Sequence, residues 1–256
     1  MNSFVSPGRK IGAFLFALAL GVSAHAAEVV STKIIPAKEA HQGAAADDKF
    51  AYAITNDKVG KYDRETGEKL GESNGPAHHM NAGFVLDGKL YLAHSNFPKK
   101  PEECQILVLD PATMLLTTFK DFGPTKGSLT WAVKEGDFWW CNFAYYGTSN
   151  GKTRLVKYDA QWTEQAEYTY PPEVISDLGQ MSISSGVWRQ GQILAIGHDK
   201  KTLYRLKLPA NGTVLELVDT LKGPFPGQGI ANDPKTGGLV GIGRDKGEII
   251  FGAFKE

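Results

Sequence analysis

The stretch Val59-Gly60-Lys61-Tyr62-Asp63 reads as a short strand that ends in an aspartate, and the chain repeats it in altered form. The later copies are ILVLD at 106–110, LVKYD at 155–159, LYRLK at 203–207 and IIFGA at 249–253. Successive copies begin 46 to 49 residues apart. A near-constant period of this length, with several strands in each unit, is typical of β-propeller blades.

Each repeat contains further short strands that are separated by turn residues. In the second repeat, apolar runs at 81–86 and 89–94 flank Asp87-Gly88, a dipeptide that strongly favours a tight hairpin. Glu135-Gly136 and Gln190-Gly191 take the same place in the next two repeats. No long stretch shows a helical period. The pattern therefore predicts four antiparallel strands in each repeat and an all-β fold.

The two ends of the chain predict a closed ring. The fifth repeat ends after its third strand, and a further strand is predicted at residues 28–36. This strand can complete the last blade, because closure removes exposed strand edges. We predict a five-bladed β-propeller forming one domain over residues 27–256; six blades or an open sandwich are alternatives. Its blades are expected at approximately 41–77, 78–127, 128–180, 181–226 and 227–256 plus 28–36.

The N-terminal segment has the pattern of a secretory signal peptide. Arg9-Lys10 precede an apolar run at 11–20, and Ala24-His25-Ala26 supplies the small residues of a cleavage site. A membrane-spanning anchor is the alternative, but it needs about 20 apolar residues. We predict that residues 1–26 are removed, that no membrane anchor remains, and that the mature protein is periplasmic or secreted.

Charge and cysteine content exclude several classes of partner. The whole chain has 28 basic and 28 acidic residues, and the basic residues form no stripe, so nucleic acid is not an expected partner. Cys104 and Cys141 fit either a disulfide or separate burial. The chain has no CxxC motif of the kind that binds zinc. It also has no phosphate-loop motif, so a nucleotide cofactor is not expected. A closed ring of this charge is expected to be a monomer.

The repeat resembles the bacterial propeller repeats of the YVTN and NHL type over essentially all of the mature sequence. The shared features are an early glycine in the inner strand, such as Gly43 and Gly229, and an aspartate that ends the third strand. The segments 41–43 with 63–67, and 228–234, are also similar to the first and last blades of propeller-type glutaminyl cyclases. That family places a Tyr-Glu-Ser-Thr-like stretch in the second strand, where this chain has Tyr-Ala-Ile-Thr at 52–55.

The predicted strand directions sort polar residues onto two faces of the ring. Inner strands begin and second strands end on the same face, which we name the polar face. Its residues are His41, Gln42, His78, His79, Asn81, Thr130, Ser184, Ser185, Gln228, Asn56, His94, Asn96, Asn142, His198, Asp199, Arg244 and Asp245. The opposite edge, which we name the turn face, carries ordinary turn residues. Its residues include Asp47, Asp87, Glu135, Gln190 and Pro234.

All five histidines outside the signal segment fall on the polar face. Imidazoles act as acids and bases near neutral pH and also bind divalent metals. The catalytic candidates are His41, His79, His94 and His198. The candidate ligands of a divalent metal ion are His79, His94 and His198. Candidate substrate-binding residues are Gln42, Asn81, Trp131, Asn142, Tyr145, Asp199 and Gln228. In the alternative interpretation, the histidines cap strand ends around a wet channel.

Two functions are consistent with this pattern. The first is an exported enzyme, namely a lyase, isomerase, cyclase or lactonase-like hydrolase, that acts on a small polar molecule at the histidine-rich mouth. The second is a non-catalytic periplasmic module that binds a ligand, a glycan or a protein. The aromatic run at 138–146 favours the second, because aromatic rings stack on sugars. The fold alone does not distinguish between these two functions.

Overall fold

Short antiparallel strands make up most of the protein in the computed structural model, which describes Met1, residues 28–125 and residues 127–255. The described strands form three four-stranded sheets and one eight-stranded sheet. The predicted signal peptide at residues 1–26 lies outside the described residues apart from Met1. Within the described ranges, no helix has both the length and the apolar character needed to cross a membrane.

The N-terminal strand β1 (Glu28–Pro36) precedes the first sheet and belongs to another sheet. The first sheet contains β2 (Gly43–Ala46), β3 (Phe50–Ile54), β4 (Val59–Asp63) and β5 (Lys69–Glu72), each antiparallel to the next. The strand β2 has the sequence GAAA, and all four residues are buried. Small side chains let this inner strand lie close to neighbouring backbones.

The second sheet contains β6 (His79–Leu86), β7 (Lys89–Ser95), β8 (Glu102–Asp110) and β9 (Leu115–Thr125), again in chain order. Asp87-Gly88 joins β6 to β7, and both residues have positive φ, at 50° and 73°. Two successive left-handed residues form the hairpin turn whose twist matches that of the strands. The predicted Asp-Gly hairpin is confirmed.

The third sheet contains β10 (Ser128–Glu135), β11 (Phe138–Ala144), β12 (Arg154–Tyr158) and β13 (Glu164–Thr169). A 3-10 helix, Gly147–Lys152, follows β11. All of β11 except its first residue is buried. The sequence FWWCNFA therefore packs into the core instead of forming an exposed aromatic surface.

A seven-residue helix, α1 (Pro172–Leu178), leads from the third sheet into the eight-stranded sheet. That sheet has the order β14-β15-β16-β17-β1-β20-β19-β18. A 3-10 helix, Arg244–Lys246, joins β19 to β20. Apart from β1, the strands of this sheet are β14 (Ile183–Arg189), β15 (Gln192–Gly197), β16 (Thr202–Lys207), β17 (Glu216–Lys222), β18 (Ala231–Asn232), β19 (Leu239–Gly243) and β20 (Glu248–Lys255).

The eight-stranded sheet consists of two four-stranded halves. The strands β17 and β1 meet at one parallel residue pair, Glu28 with Lys222. In contrast, β1 pairs antiparallel with β20 along its whole length, from Glu28 with Lys255 to Pro36 with Glu248. The N-terminal strand therefore completes the last group of four strands, and the predicted pairing of the two ends of the chain is confirmed.

The five copies of the repeated sequence lie in or at the end of β4, β8, β12, β16 and β20, each the third strand of its group counted from the inner strand. The apolar residues of the strands pack between neighbouring sheets in four buried clusters. One cluster, between the second and third sheets, contains Cys104 and Cys141 as buried free thiols. Of the two cysteine interpretations, separate burial is the one observed.

Close contacts join the first sheet to the last strands of the chain. The Gly229 N–H donates to the Gln42 carbonyl at 2.8 Å. A methyl group on Gly229 would lie 2.7 Å from the Cα of Gly43, so only glycine fits there. On the turn face, the Arg64 guanidinium donates two hydrogen bonds of 2.6 Å to the buried Asp233 carboxylate. Contacts on both faces therefore hold the beginning and end of the chain together.

Candidate functional site

A cavity of about 470 Å³ opens on the polar face, where the inner strands begin and the second strands end. Residues in or next to the strands of the three four-stranded sheets and of both halves of the eight-stranded sheet contribute to its wall. The amide and serine side chains of the lining belong to Gln42, Asn56, Asn81, Ser128, Ser184 and Gln228. The repeat thus converges on one cavity, as a ring of blades does.

Several of the amides are fixed by hydrogen bonds to their neighbours. Gln42 Nε2 donates to Asn56 Oδ1 at 2.7 Å, and Asn81 Nδ2 donates to the Leu129 carbonyl at 2.9 Å. Gln228 Nε2 donates to the His198 carbonyl at 3.2 Å. Gln228 also has a φ of 71°, a conformation that costs energy in a residue other than glycine. These bonds hold the amide groups in place around the cavity.

His79 supplies a neutral imidazole to the cavity wall. It lies at the start of β6 and is half-buried, with its ring 5.3 Å from the ring of Phe97. Burial and the nearby positive charge of Arg244 lower the pKa of His79 below its ordinary value of 6.5. At neutral pH the ring is therefore uncharged, and it is able to accept a proton.

His198 contributes a second imidazole, which contacts a carboxylate. Its Nδ1 lies 2.8 Å from Asp199 Oδ1, although the N–H direction is not aligned with that oxygen. Asp199 is exposed, and His198 lines the cavity. With the carboxylate beside Nδ1, the other ring nitrogen, Nε2, is left for a ligand.

Two further lining residues have polar groups available to a ligand. Ser128 Oγ is buried and has no hydrogen-bond partner among the described residues. A buried hydroxyl without a partner is costly, so a ligand or water that bonds to it is favoured. Burial and the charge of Glu102 raise the pKa of Tyr146 to about 12, which keeps its hydroxyl protonated. Phe97 and Met181 complete the wall with apolar surface.

The cavity wall is positively charged. Arg244, at the start of the 3-10 helix after β19, is the one permanently charged residue in the described lining, which contains no carboxylate. Arg244 forms no ion pair or side-chain hydrogen bond with another described residue. An unpaired guanidinium in a partly enclosed cavity favours an anionic group such as a carboxylate.

His94 and His41, two of the four predicted catalytic histidines, do not line this cavity. His94 is only 6% exposed, and it borders a separate groove of about 440 Å³ together with His78, Glu103 and Asp121. Its Nε2 accepts a hydrogen bond from the His78 backbone N–H at 3.0 Å, so its role in the structure is to hold the chain just before β6.

His41 is exposed and lies in a different surface groove, beside Thr55 and Glu72. The strand β2 begins two residues after His41, and only the next residue, Gln42, reaches the cavity. Successive side chains of an extended chain point to opposite sides, which explains why Gln42 reaches the cavity and His41 does not. Of the four predicted catalytic histidines, the structure therefore brings only His79 and His198 to this cavity.

Three predicted substrate-binding residues also lie away from the cavity. Trp131 is 1% exposed and packs in the core against Gly186, and the fully buried Asn142 donates to Thr130 and accepts from Tyr170. Tyr145 is half-buried but outside the described lining. The strand β10 begins two residues earlier than predicted, at Ser128, and its pairing shifts register between Leu129 and Trp131. The structure thus places Gln42, Asn81 and Gln228 at the cavity and Asp199 beside it.

The predicted metal site is not formed. His79 and His198 line one cavity, whereas His94 lies in another groove. No group of three His, Cys, Asp or Glu side chains in the described part of the chain is arranged to hold a metal ion. The lining adds amides and a guanidinium, and a cationic group repels a metal ion. The residues present do not fit a divalent metal.

Some cavity residues were absent from the predicted site. Arg244, Asn56 and Ser184 follow the rule that defines the polar face, so the same register signal could have selected them. Phe97 and Tyr146 come from the connections after β7 and β11, and no strand pattern positions them. Ser128 begins β10 two residues earlier than the sequence pattern indicates.

Comparison with known proteins identifies similar folds. No protein-family model matches the sequence, and no curated protein matches it significantly. The crystal structure of Myxococcus xanthus glutaminyl cyclase is similar over 90% of this chain and 97% of that chain, with a TM-score of 0.63 and 12% identity. A chain of a mitotic checkpoint complex structure matches with a TM-score of 0.45 and 9% identity, covering 81% of this chain and 62% of that chain. The all-β chain described here therefore has a β-propeller fold like that of the bacterial cyclase.

Proposed function

We propose that this protein is an enzyme that binds a small carboxylate-bearing molecule in the central cavity and transfers a proton through His79 or His198. The observation that carries the proposal is that a neutral His79 shares the cavity with Arg244, which has no ion pair with another described residue. Arg244 would bind the substrate's anionic group, and the neutral imidazole would take a proton from the reacting atom.

A cyclase-type reaction is the form of this chemistry that the fold comparison favours, since the similar structure is that of a glutaminyl cyclase. The lyase, isomerase and lactonase-like reactions need the same proton transfer. A substrate with a free α-ammonium group fits poorly, because no described residue of the lining carries a carboxylate. Tyr52, in the strand where the cyclase family has its Tyr-Glu-Ser-Thr-like stretch, is buried and donates to Asp47.

The architecture we propose is a five-bladed propeller of the YVTN and NHL type, forming one monomeric domain over residues 27–256. Its support is the grouping of the strands into three sheets and two halves of four, with β1 as the last outer strand. We also propose that residues 1–26 direct export to the periplasm or beyond. The A-x-A pattern at 24–26 supports this assignment.

The test is a reaction screen in deuterated water, followed by NMR. Small hydroxy acids, lactones and N-acylated amino acids are incubated with the mature protein, and products or exchanged protons are detected. The proposal expects at least one carboxylate to be turned over or to exchange a proton, with loss in Arg244→Gln and in His79→Asn or His198→Asn. Thr66→Ser on the turn face is the matched control and keeps the activity. Absence of both turnover and exchange across the screen would refute the enzymatic proposal.

A non-catalytic binding protein is the second candidate. The observation that favours it is that the side-chain amides of Gln42, Asn81 and Gln228 each donate a hydrogen bond within the protein. Such bonds hold the side chains of a binding site in fixed positions. In that case the same small carboxylates raise the melting temperature, Arg244→Gln removes the effect, and no reaction or exchange accompanies binding.

A further inference from the structure

We propose that the protein has a second ligand site, an arginine-based pocket for a small organic anion, between the two halves of the eight-stranded sheet. The pocket has a volume of about 240 Å³ and is distinct from the central cavity. Arg189, at the end of β14, lies on one side, and Phe254 of β20 lies on the other. The site would recognise a carboxylate attached to an apolar group.

The Arg189 side chain packs against an aromatic ring. The guanidinium carbon lies 4.1 Å from the centre of the Phe254 ring. Stacking on an aromatic face orients a guanidinium and leaves the N–H groups at its edge free to donate. Arg189 forms no ion pair or side-chain hydrogen bond with another described residue, and burial lowers its pKa. A half-buried charge of this kind favours an anionic partner.

The other charges of the pocket add to this preference. Arg205 and Lys255 line it as well, and each is paired with an exposed carboxylate, Asp219 at 2.8 Å and Glu28 at 3.1 Å. No acidic side chain belongs to the described lining. Among the described residues, Arg189 is therefore the cation of the pocket that has no ion pair, and it is flanked by two cations whose charge is already neutralised.

The wall between these charges is apolar. Ile193, Leu194 and Leu221 contribute to the lining, and Leu194 and Leu221 belong to the buried cluster beside β1. An inorganic anion would leave this surface uncovered. An organic carboxylate covers it with its hydrocarbon part while its two oxygens accept the parallel N–H groups of Arg189. Benzoate is a simple probe with this combination of groups.

The experiment is a benzoate titration at neutral pH, followed by the methyl NMR signals of Ile193, Leu194 and Leu221. These signals separate the pocket from the central cavity, which also contains an arginine. The proposal expects saturable shifts that persist in Arg244→Gln. Charge-assisted hydrogen bonds imply that Arg189→Gln weakens binding at least about tenfold. The uncharged analogue benzamide should produce no saturable shift.

The matched control is Arg205→Gln, which removes a cation that Asp219 already neutralises. It is expected to weaken benzoate binding by less than about fivefold. If Arg189→Gln fails to fold, Arg189→Lys keeps the charge but removes the planar donor pair, and it should also weaken binding. Absence of saturable shifts at these methyl groups would overturn the proposal. Equal losses in the Arg189 and Arg205 variants would overturn it too.

Discussion

The two faces of the ring use their polar side chains in opposite ways. On the turn face, Asp63, Asp110 and Asp159 each accept hydrogen bonds from backbone N–H groups of the turn that follows. On the polar face, Ser128 Oγ lacks a hydrogen-bond partner among the described residues, and Arg244 lacks an ion pair there.

The difference separates stability from binding. Aspartates that bond to their own turns satisfy backbone donors and define where strands end. Polar groups without partners cost stability unless a ligand or water bonds to them. We infer that the turn face stabilises the ring, whereas the polar face keeps its donors for a ligand. Substitutions at buried and exposed positions of both faces test this contrast.

Asp233→Asn should have the largest effect on stability. Burial alone would raise the pKa of Asp233, but hydrogen bonds from Arg64 and Thr236 hold it below its ordinary value. The substitution leaves the buried Arg64 charge without a counterion, which costs about 3 to 5 kcal/mol. Urea unfolding measures the loss. An equally stable variant would show that the pair does not hold the ends of the chain together.

His94→Gln should change the pH dependence of stability. Burial and the charges of His78 and His79 lower the pKa of His94 to about 4. The unfolded chain binds this proton more readily, so stability is complete above about pH 6.5 and falls as the pH drops towards 4. At pH 5 the loss from this group is about 2 kcal/mol. Glutamine still accepts the His78 N–H but does not titrate.

Unfolding measurements of both proteins at pH 7 and pH 5 provide the comparison. The wild-type protein is expected to lose more stability than His94→Gln between these values. Identical losses would mean that His94 titrates normally and that its burial next to β6 has no electrostatic consequence.

Gly229→Ala tests the contact of the ends of the chain beside the cavity. The added methyl group would meet the Gln42 carbonyl oxygen and the Gly43 Cα, both 2.7 Å away and both backbone atoms. Overpacking of this kind costs about 2 kcal/mol. Gly237→Ala, at a turn with open space but a φ of 70°, is the control for backbone strain alone. Thermal unfolding of the two variants separates the clash from the strain.

Asp110→Asn should have the smallest effect, about 1 kcal/mol, because it weakens one set of turn hydrogen bonds on the exposed turn face. Ligand binding in the central cavity should not change. A variant that unfolds like the wild type but binds ligand more weakly would contradict the assignment of stability to the turn face and of ligand binding to the polar face.

Sequence patterns predicted the strands more accurately than they predicted the site. The copies at 59–63 and 106–110 reveal β4 and part of β8, because side chains alternate and turns have specific residues. The same register placed Gln42 and His79 at the cavity. It failed for Trp131 and His94, because the pairing of β10 shifts register between Leu129 and Trp131 and β7 continues one residue past His94. A shift of one residue reverses the side of the strand to which a side chain points. Phe97 reaches the cavity from a connection that no periodicity describes.

The most direct test of the proposed site is the NMR titration of the His79 imidazole in the wild-type protein and in Arg244→Gln, with and without acetate. Burial and Arg244 lower the pKa of His79, so the wild-type midpoint should lie below 6.5. Acetate bound at Arg244 should raise the midpoint, as should Arg244→Gln, and acetate should then have no further effect on the variant. A midpoint that neither acetate nor the substitution changes would show that His79 and Arg244 do not share an anion-binding cavity.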